Sequence, residues 1–278
     1  MKNAAIATAA SILLAGCVSI NETNVAPTSP QGPPPPEMGG LQFLYGSAEA
    51  AGISRQTYRA LELHALARAA DRPEYSVILT EGARVEAPSY VPCEDKPLAI
   101  VLDVDETVSL NTGLMHGRAT GAMGGPGSQL AVRPVPGVVE TIRTLQQAGI
   151  TPVYNTNRTV DMGDLIADYL VSFGLDRPVQ GETLFLNGMD DMGGNKDGRR
   201  WTIAESWCVV AMAGDQLGDF SEQLSEVEPV SARRQAALSE PISGNWGNGW
   251  YLLPNTAYGR ALEGDIAEVF PEIESGGE

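Results

Sequence analysis

Histidine is almost missing from this sequence: only His64 and His116 occur in 278 residues. A centre built on three imidazole ligands is therefore excluded. Cysteine is nearly as scarce. Cys17, Cys93 and Cys208 include no C-x-x-C pair, which excludes a zinc ribbon, an iron–sulfur cluster and a disulfide-dense scaffold. Basic side chains are few, with 18 Lys and Arg against 35 Asp and Glu, for a formal charge of −17. That balance argues against a nucleic-acid partner, because a phosphate backbone selects Lys/Arg surfaces. No apolar run reaches the roughly 20 residues that a membrane-spanning helix needs. What is present is an ordinary globular composition, 43% apolar and 19% charged, with length for one large domain or two small ones.

Residues 1–16 start with one basic residue, Lys2, and run on as a short apolar stretch to Cys17, the layout of a secretory signal. Leu14-Ala15-Gly16-Cys17 resembles the bacterial lipobox. The resemblance implies that cleavage leaves Cys17 as a lipidated N-terminus. Val18, where an Asp would retain the protein at the inner membrane, implies an outer-membrane lipoprotein in the cell envelope. Acyl chains contribute about 0.8 kcal/mol per buried methylene, so several on one Cys anchor firmly. A plain secretory leader with an incidental Cys is the alternative. Residues 17–40 hold Pro27, Pro30 and Pro33 to Pro36 and read as an extended spacer.

Residues 41–96 read as an N-terminal helical segment, with Ser54 as a helix cap and Tyr58, Leu61, Ala65, Leu66 and Ala69 on one face. His64 falls on the polar side of that wheel and reads as a surface residue. From residue 97 to 278 the pattern changes to strand–helix alternation. Leu98–Leu102 is a continuous apolar run, the mark of a strand covered on both faces. Helices are expected over 137–148 and 161–173, stopped by Gly149 and Gly174. Further strands are expected at 151–154, 183–186, 208–213 and 251–253, with a short helix at 199–206. The alternation predicts an α/β fold with a doubly wound parallel sheet, whose site lies at the carboxyl ends of the strands.

Polar groups stand at those ends. The first strand runs into Asp103-Val104-Asp105-Glu106-Thr107, the second into Asn155-Thr156-Asn157-Arg158, and the fourth into Gly214-Asp215-Gln216-Leu217-Gly218-Asp219. Lys196 and Arg199 precede the fourth. One D-x-D could be a turn, and an EF-hand reading fails because Val108 stands where that loop needs Gly. Four ordered motifs resemble those of the haloacid-dehalogenase (HAD) superfamily. DVDETVSLN, YNTNR, NKDGRR, GDQLGDF and LLPNTAYG narrow the resemblance to the class C nonspecific acid phosphatases, over roughly residues 41–260, with a small cap insertion after the first motif.

That resemblance implies residue roles. Asp103 would be the nucleophile and form an aspartyl-phosphate. Asp105 would protonate the leaving oxygen and then deprotonate water. Mg²⁺ would be held by Asp103, the backbone carbonyl of Asp105, and Asp215, since a hard cation suits oxygen donors. Thr156 would hydrogen-bond the phosphoryl group, Lys196 would neutralise its charge and fix Asp103, and Asp219 would orient Lys196 or a metal-bound water. Asn157 and Tyr258 would contact the substrate. Arg199 and Arg200 are ambiguous between salt bridges and the site, and His116 reads as an incidental loop residue in a Gly-rich stretch.

The substrate implied is a phosphomonoester, with nucleoside monophosphates common among relatives, which hold the base between aromatic rings. The stretch from Asn111 to Pro134 has no aromatic residue. Trp246, Trp250, Tyr251 and Tyr258 come late and could form one wall, although core is the plainer role for Trp250 and Tyr251. A phosphotransferase using the same aspartyl-phosphate, or a non-catalytic ligand-binding lipoprotein, are the alternatives. Oligomeric state has no sequence signal. Cys93 and Cys208 are expected at the sheet end opposite the site, either as a disulfide or as two buried thiols.

Overall fold

The computed structural model describes residues 36–120 and 131–269. The signal segment, Cys17, most of the spacer and the Gly-rich part of the insertion lie outside the described residues. All described residues belong to one contact unit. Among them no helix is long and apolar enough to cross a membrane.

Helices α1 (Pro36–Gly46) and α2 (Ala48–Ala70) lead to strands β1 (Tyr75–Leu79) and β2 (Tyr90–Pro92), which pair antiparallel. Strand β3 (Leu98–Leu102) is followed by the insertion, in which β4 (Ser109–Leu110) and β5 (Arg133–Pro134) flank helix α3 (Thr112–Thr120). Then come α4 (Val138–Gln147), β6 (Thr151–Thr159), α5 (Gly163–Ser172), β7 (Leu184–Asn187), α6 (Asp197–Ser206) and β8 (Cys208–Gly214). The chain continues through α7 (Glu222–Ser225), α8 (Val230–Leu238), β9 (Trp250–Leu252) and α9 (Ile266–Val269).

The main sheet has the order β7-β6-β3-β8-β9, and every neighbouring pair is parallel. This is the doubly wound sheet that the alternation demands, and all five expected strands are in it. β3 is apolar throughout because successive side chains alternate between two cores. Ile100 and Leu102 join Tyr58, Leu61, Ile142 and Ile166 on one side. Ala99 and Val101 join Ile78, Ile203, Phe220 and Trp250 on the other.

Several local expectations are corrected. The N-terminal helical stretch is two helices, and Ser47 rather than Ser54 caps the second, accepting from Ala50 N at 3.0 Å. Ser54 lies inside α2 and donates back to Ala50 O at 2.9 Å, the mid-helix use of a short hydroxyl. α1 reaches back to Pro36, within the stretch read as spacer, because proline suits a helix's first turn. His64 is half-buried, with Nε2 3.2 Å from Val210 O and its ring edge-on to Tyr251. α2 lies across β8 and β9, so the flank of the wheel beside its apolar stripe also meets the sheet. His116 is exposed on α3 rather than in a loop. Cys93 and Cys208 are bonded, with Cα atoms 4.6 Å apart, at the amino-terminal end of β8, away from the strands' carboxyl ends.

Candidate active site

Two adjacent strands set the first geometry. Leu102 pairs with Ala213 in the β3–β8 ladder, and Asp103 N extends it by donating to Ala213 O at 2.9 Å. Asp103 therefore stands beside Gly214 and Asp215. The turn after β8 then folds Asp219 back: its Oδ2 accepts from Asp215 N at 3.0 Å and Gln216 N at 2.9 Å. A side chain at 214 would meet Asp219 Cβ at 2.2 Å, so only glycine lets that carboxylate close over the strand end.

Carboxylate oxygens of Asp103, Asp215 and Asp219 lie within 4.8 Å of one another, all buried. Lys196, at the start of α6, donates to Asp103 Oδ1, and to Asp219 Oδ1 at 2.6 Å. Asp215 is held by Thr107 Oγ1 at 3.2 Å, Gln216 Nε2 at 2.7 Å and Asn255 Nδ2 at 2.7 Å. Burial pushes the Asp103 carboxyl well above its usual range, with the Lys196 ammonium opposing and Asp219 and Asp215 adding to the rise. Burial and then the Asp219 charge push Asp215 up to about 7. Burial alone would lower the Lys196 ammonium, but Asp103 and Asp219 outweigh it and hold it above its usual range. Buried, mutually repelling carboxylates of this kind are short of positive charge. Their all-oxygen donor set fits a divalent cation.

Asp103, Asp105, Asn157, Lys196, Asp215, Asp219 and Tyr258 line one cavity of about 290 Å³. Thr156 is wholly buried and outside that lining, its hydroxyl accepting from Arg158 N at 3.2 Å. Trp246 and Trp250 are not at the site. They stack with Phe220 on the far side of the sheet, while Tyr251 belongs to the opposite core. Of the late aromatics only Tyr258 lines the cavity, because both tryptophans are packed against Phe220 before the chain reaches residues 253–258. A larger apolar hollow of about 620 Å³, between α2, α8 and β9, is lined by no carboxylate and carries no comparable chemistry.

Several residues at the site escape sequence reasoning. Arg158 forks onto Asp105 at 2.6 to 3.1 Å, and Asn111 Nδ2 reaches the same carboxylate at 2.7 Å. Glu106 is buried in a left-handed conformation, φ +57°, unusual for a side chain of this size. It accepts from Tyr45 OH at 2.7 Å, Asn111 N at 2.9 Å, Asn111 Nδ2 at 3.1 Å, and Tyr258 OH. One carboxylate thus ties α1, the insertion and the late loop to the first motif. Arg199 donates to Asn155 Oδ1 at 2.9 Å and Asn157 Oδ1 at 2.6 Å, and Arg200 to Gly218 O at 2.8 Å. Both arginines brace the loops around the cavity. Ambiguous in sequence between salt bridges and the site, they do both, since Arg199 also pairs with Asp190 and Arg200 with Asp197.

Residues 128–261 match the family model of the HAD superfamily, subfamily IIIB (acid phosphatase). That stretch of the chain is similar to the HAD-superfamily acid phosphatases. The matched span begins after Asp103 and Asp105, and the β3–β6 and β3–β8 ladders join those residues to it. No curated protein sequence matches the chain. Its fold is similar to the class C acid phosphatase from Bacillus anthracis, at 21% identity and TM-score 0.64, covering 80% of this chain and 85% of that one. A second structure, of the class C acid phosphatase from Bacillus anthracis with tungstate bound, aligns at 20% identity and TM-score 0.64, over 84% and 93% of the two chains.

Proposed function

We propose that the protein is a class C, Mg²⁺-dependent acid phosphatase that hydrolyses phosphomonoesters through an aspartyl-phosphate on Asp103. The observation that carries this reading is the buried group of Asp103, Asp215 and Asp219 with Lys196 between two of them. Asp103, Asp215 and the backbone carbonyl of Asp105 would hold the cation, which would supply charge neutralisation between a carboxylate nucleophile and a dianionic ester.

The remaining steps belong to the chain itself. An Asp103 oxygen bonds to phosphorus while the ester P–O bond breaks, and Asp105 gives the departing oxygen its proton. Asp105 then takes a proton from water as the water oxygen attacks phosphorus, releasing phosphate and restoring Asp103. Arg158 and Asn111 aim the Asp105 carboxylate. Lys196 holds Asp103 in place and stabilises charge on the phosphoryl oxygens. Asp219, with one oxygen on Lys196 and the other on two backbone N–H groups, serves to orient Lys196. Tungstate, bound in the similar structure, is a tetrahedral oxyanion like phosphate, which agrees with this reading. Nucleoside monophosphates are the substrates that the family resemblance implies. We also propose lipidation at Cys17 and residence in the cell envelope, where an oxidising compartment would preserve the Cys93–Cys208 bond.

Phosphate release from a chromogenic ester, with Mg²⁺ and with EDTA, tests the activity. Wild type should turn over only with the cation, and Asp103→Asn should lose several orders of magnitude. Activity of Asp103→Asn equal to wild type would reject the covalent mechanism. Transfer of phosphate to added glycerol in place of water would favour the phosphotransferase reading.

A further inference from the structure

A second cavity, of about 730 Å³, adjoins the catalytic one at Tyr258, which lines both. Its walls include Met38 and Leu41 from α1, Met115 from α3, and Leu262. Arg118 is the only charged residue among the described residues of its lining. The Tyr258 hydroxyl is engaged by buried Glu106, so the ring is held in one orientation at the junction. Resting on the phosphatase reading above, we propose that this cavity receives the leaving group, and that the preferred substrates are phosphate monoesters of flexible aliphatic alcohols.

The lining decides the class. A flat heterocycle is best held by aromatic faces, and stacking supplies much of the attraction. Here Tyr258 gives the one ring among the described lining residues, and beside it stand two methionines, two leucines and small residues, with Thr256 and Arg118 as the polar groups. Unbranched methionine side chains adapt to a flexible apolar chain. Leu262 is 54% exposed, and an alkyl chain lying against it would remove apolar surface from water on both partners. The volume exceeds what a phosphate group requires and falls in the range typical of small-molecule sites. Arg118 places a positive charge in the lining of this cavity, in a chain whose net charge is −17.

The test is kcat/KM for ethyl, butyl, hexyl and octyl phosphate, measured by phosphate release with Mg²⁺ on the full chain, with adenosine monophosphate as comparator. The expected series rises about twofold per methylene, roughly half the effect of complete burial because the cavity is wide-mouthed. Adenosine monophosphate should be no better than butyl phosphate. Leu262→Asp should cut the octyl-to-ethyl ratio at least threefold, with its melting temperature measured alongside to confirm folding. A flat series with ethyl phosphate hydrolysed, or a preference for the nucleotide over octyl phosphate, would overturn the assignment and leave the phosphatase reading intact. No hydrolysis of any ester would sink the phosphatase reading, and this one with it.

Discussion

Replacing Lys196 by Met is the sharpest test of the buried charge group. Lys196 is 5% exposed, and its ammonium is hydrogen-bonded to both Asp103 and Asp219. Methionine keeps the length and apolar stem but leaves two buried carboxylates without their counter-charge. Breaking a buried ion pair from one side costs about 3–5 kcal/mol. For a domain of this size each kcal/mol moves Tm by about 2–4 °C, so the cation-free variant should melt roughly 10 °C lower at pH 8. Because burial already raises Asp103, that loss should shrink at pH 5, where a proton can replace the ammonium. Adding Asp219→Asn should restore part of the stability, since one of the two stranded charges is then gone. kcat should fall by at least the 10²–10³ expected for loss of one charge-stabilising donor. Differential scanning fluorimetry, with EDTA and with Mg²⁺, reads the stability terms. A cation-free Lys196→Met protein melting within about 2 °C of wild type at pH 8 would refute the reasoning.

Other perturbations reach the same architecture from different sides. Asp215 is raised in the folded state to about 7 from 3.8, so its protonated form stabilises the cation-free fold below pH 3.8, and that contribution is lost as pH rises through 7. Melting curves in EDTA should therefore show wild type losing stability between pH 5 and 8 relative to Asp215→Asn, and the Mg²⁺-induced rise in Tm should be largest above pH 7; pH-independent Mg²⁺ stabilisation would contradict this. Glu106→Gln weakens acceptance from Tyr45 and Tyr258 and should raise KM for bulky esters more than for small ones, as initial-rate kinetics would reveal. Reducing the Cys93–Cys208 bridge, which spans 115 residues, should cost about 2–5 kcal/mol; unchanged denaturant midpoints with and without dithiothreitol would contradict it.

Much of the site could be read along the chain because its acids sit at strand ends. A buried parallel strand must be apolar, so Leu98–Leu102 announces itself, and the first polar residues after it, Asp103 and Asp105, are legible as the groups left at the rim. The same logic exposes Asp215 after β8, whereas Thr156 falls inside β6, which runs on to Thr159. Lys196 was legible only through its order among the motifs. The pairings of Arg158, Tyr45, Asn255 and Glu106 were not, since a hydrogen bond between residues 40, 53, 61 or 152 positions apart leaves no periodicity. His64 and Ser54 were misread for the complementary reason: a helical wheel describes one helix in water, whereas α2 lies against two strands of the sheet.

The sequence by itself therefore determined the strand–helix alternation, the parallel sheet and the rim from which the acids project, because these follow from hydrophobic period and the local conformational limits of each residue. Tertiary structure alone decided which ring faces the cavity, which carboxylates share Lys196, and that Cys93 meets Cys208. Those depend on strand order and register, which bring distant residues within a few ångströms and raise pKa values through burial that no single segment possesses.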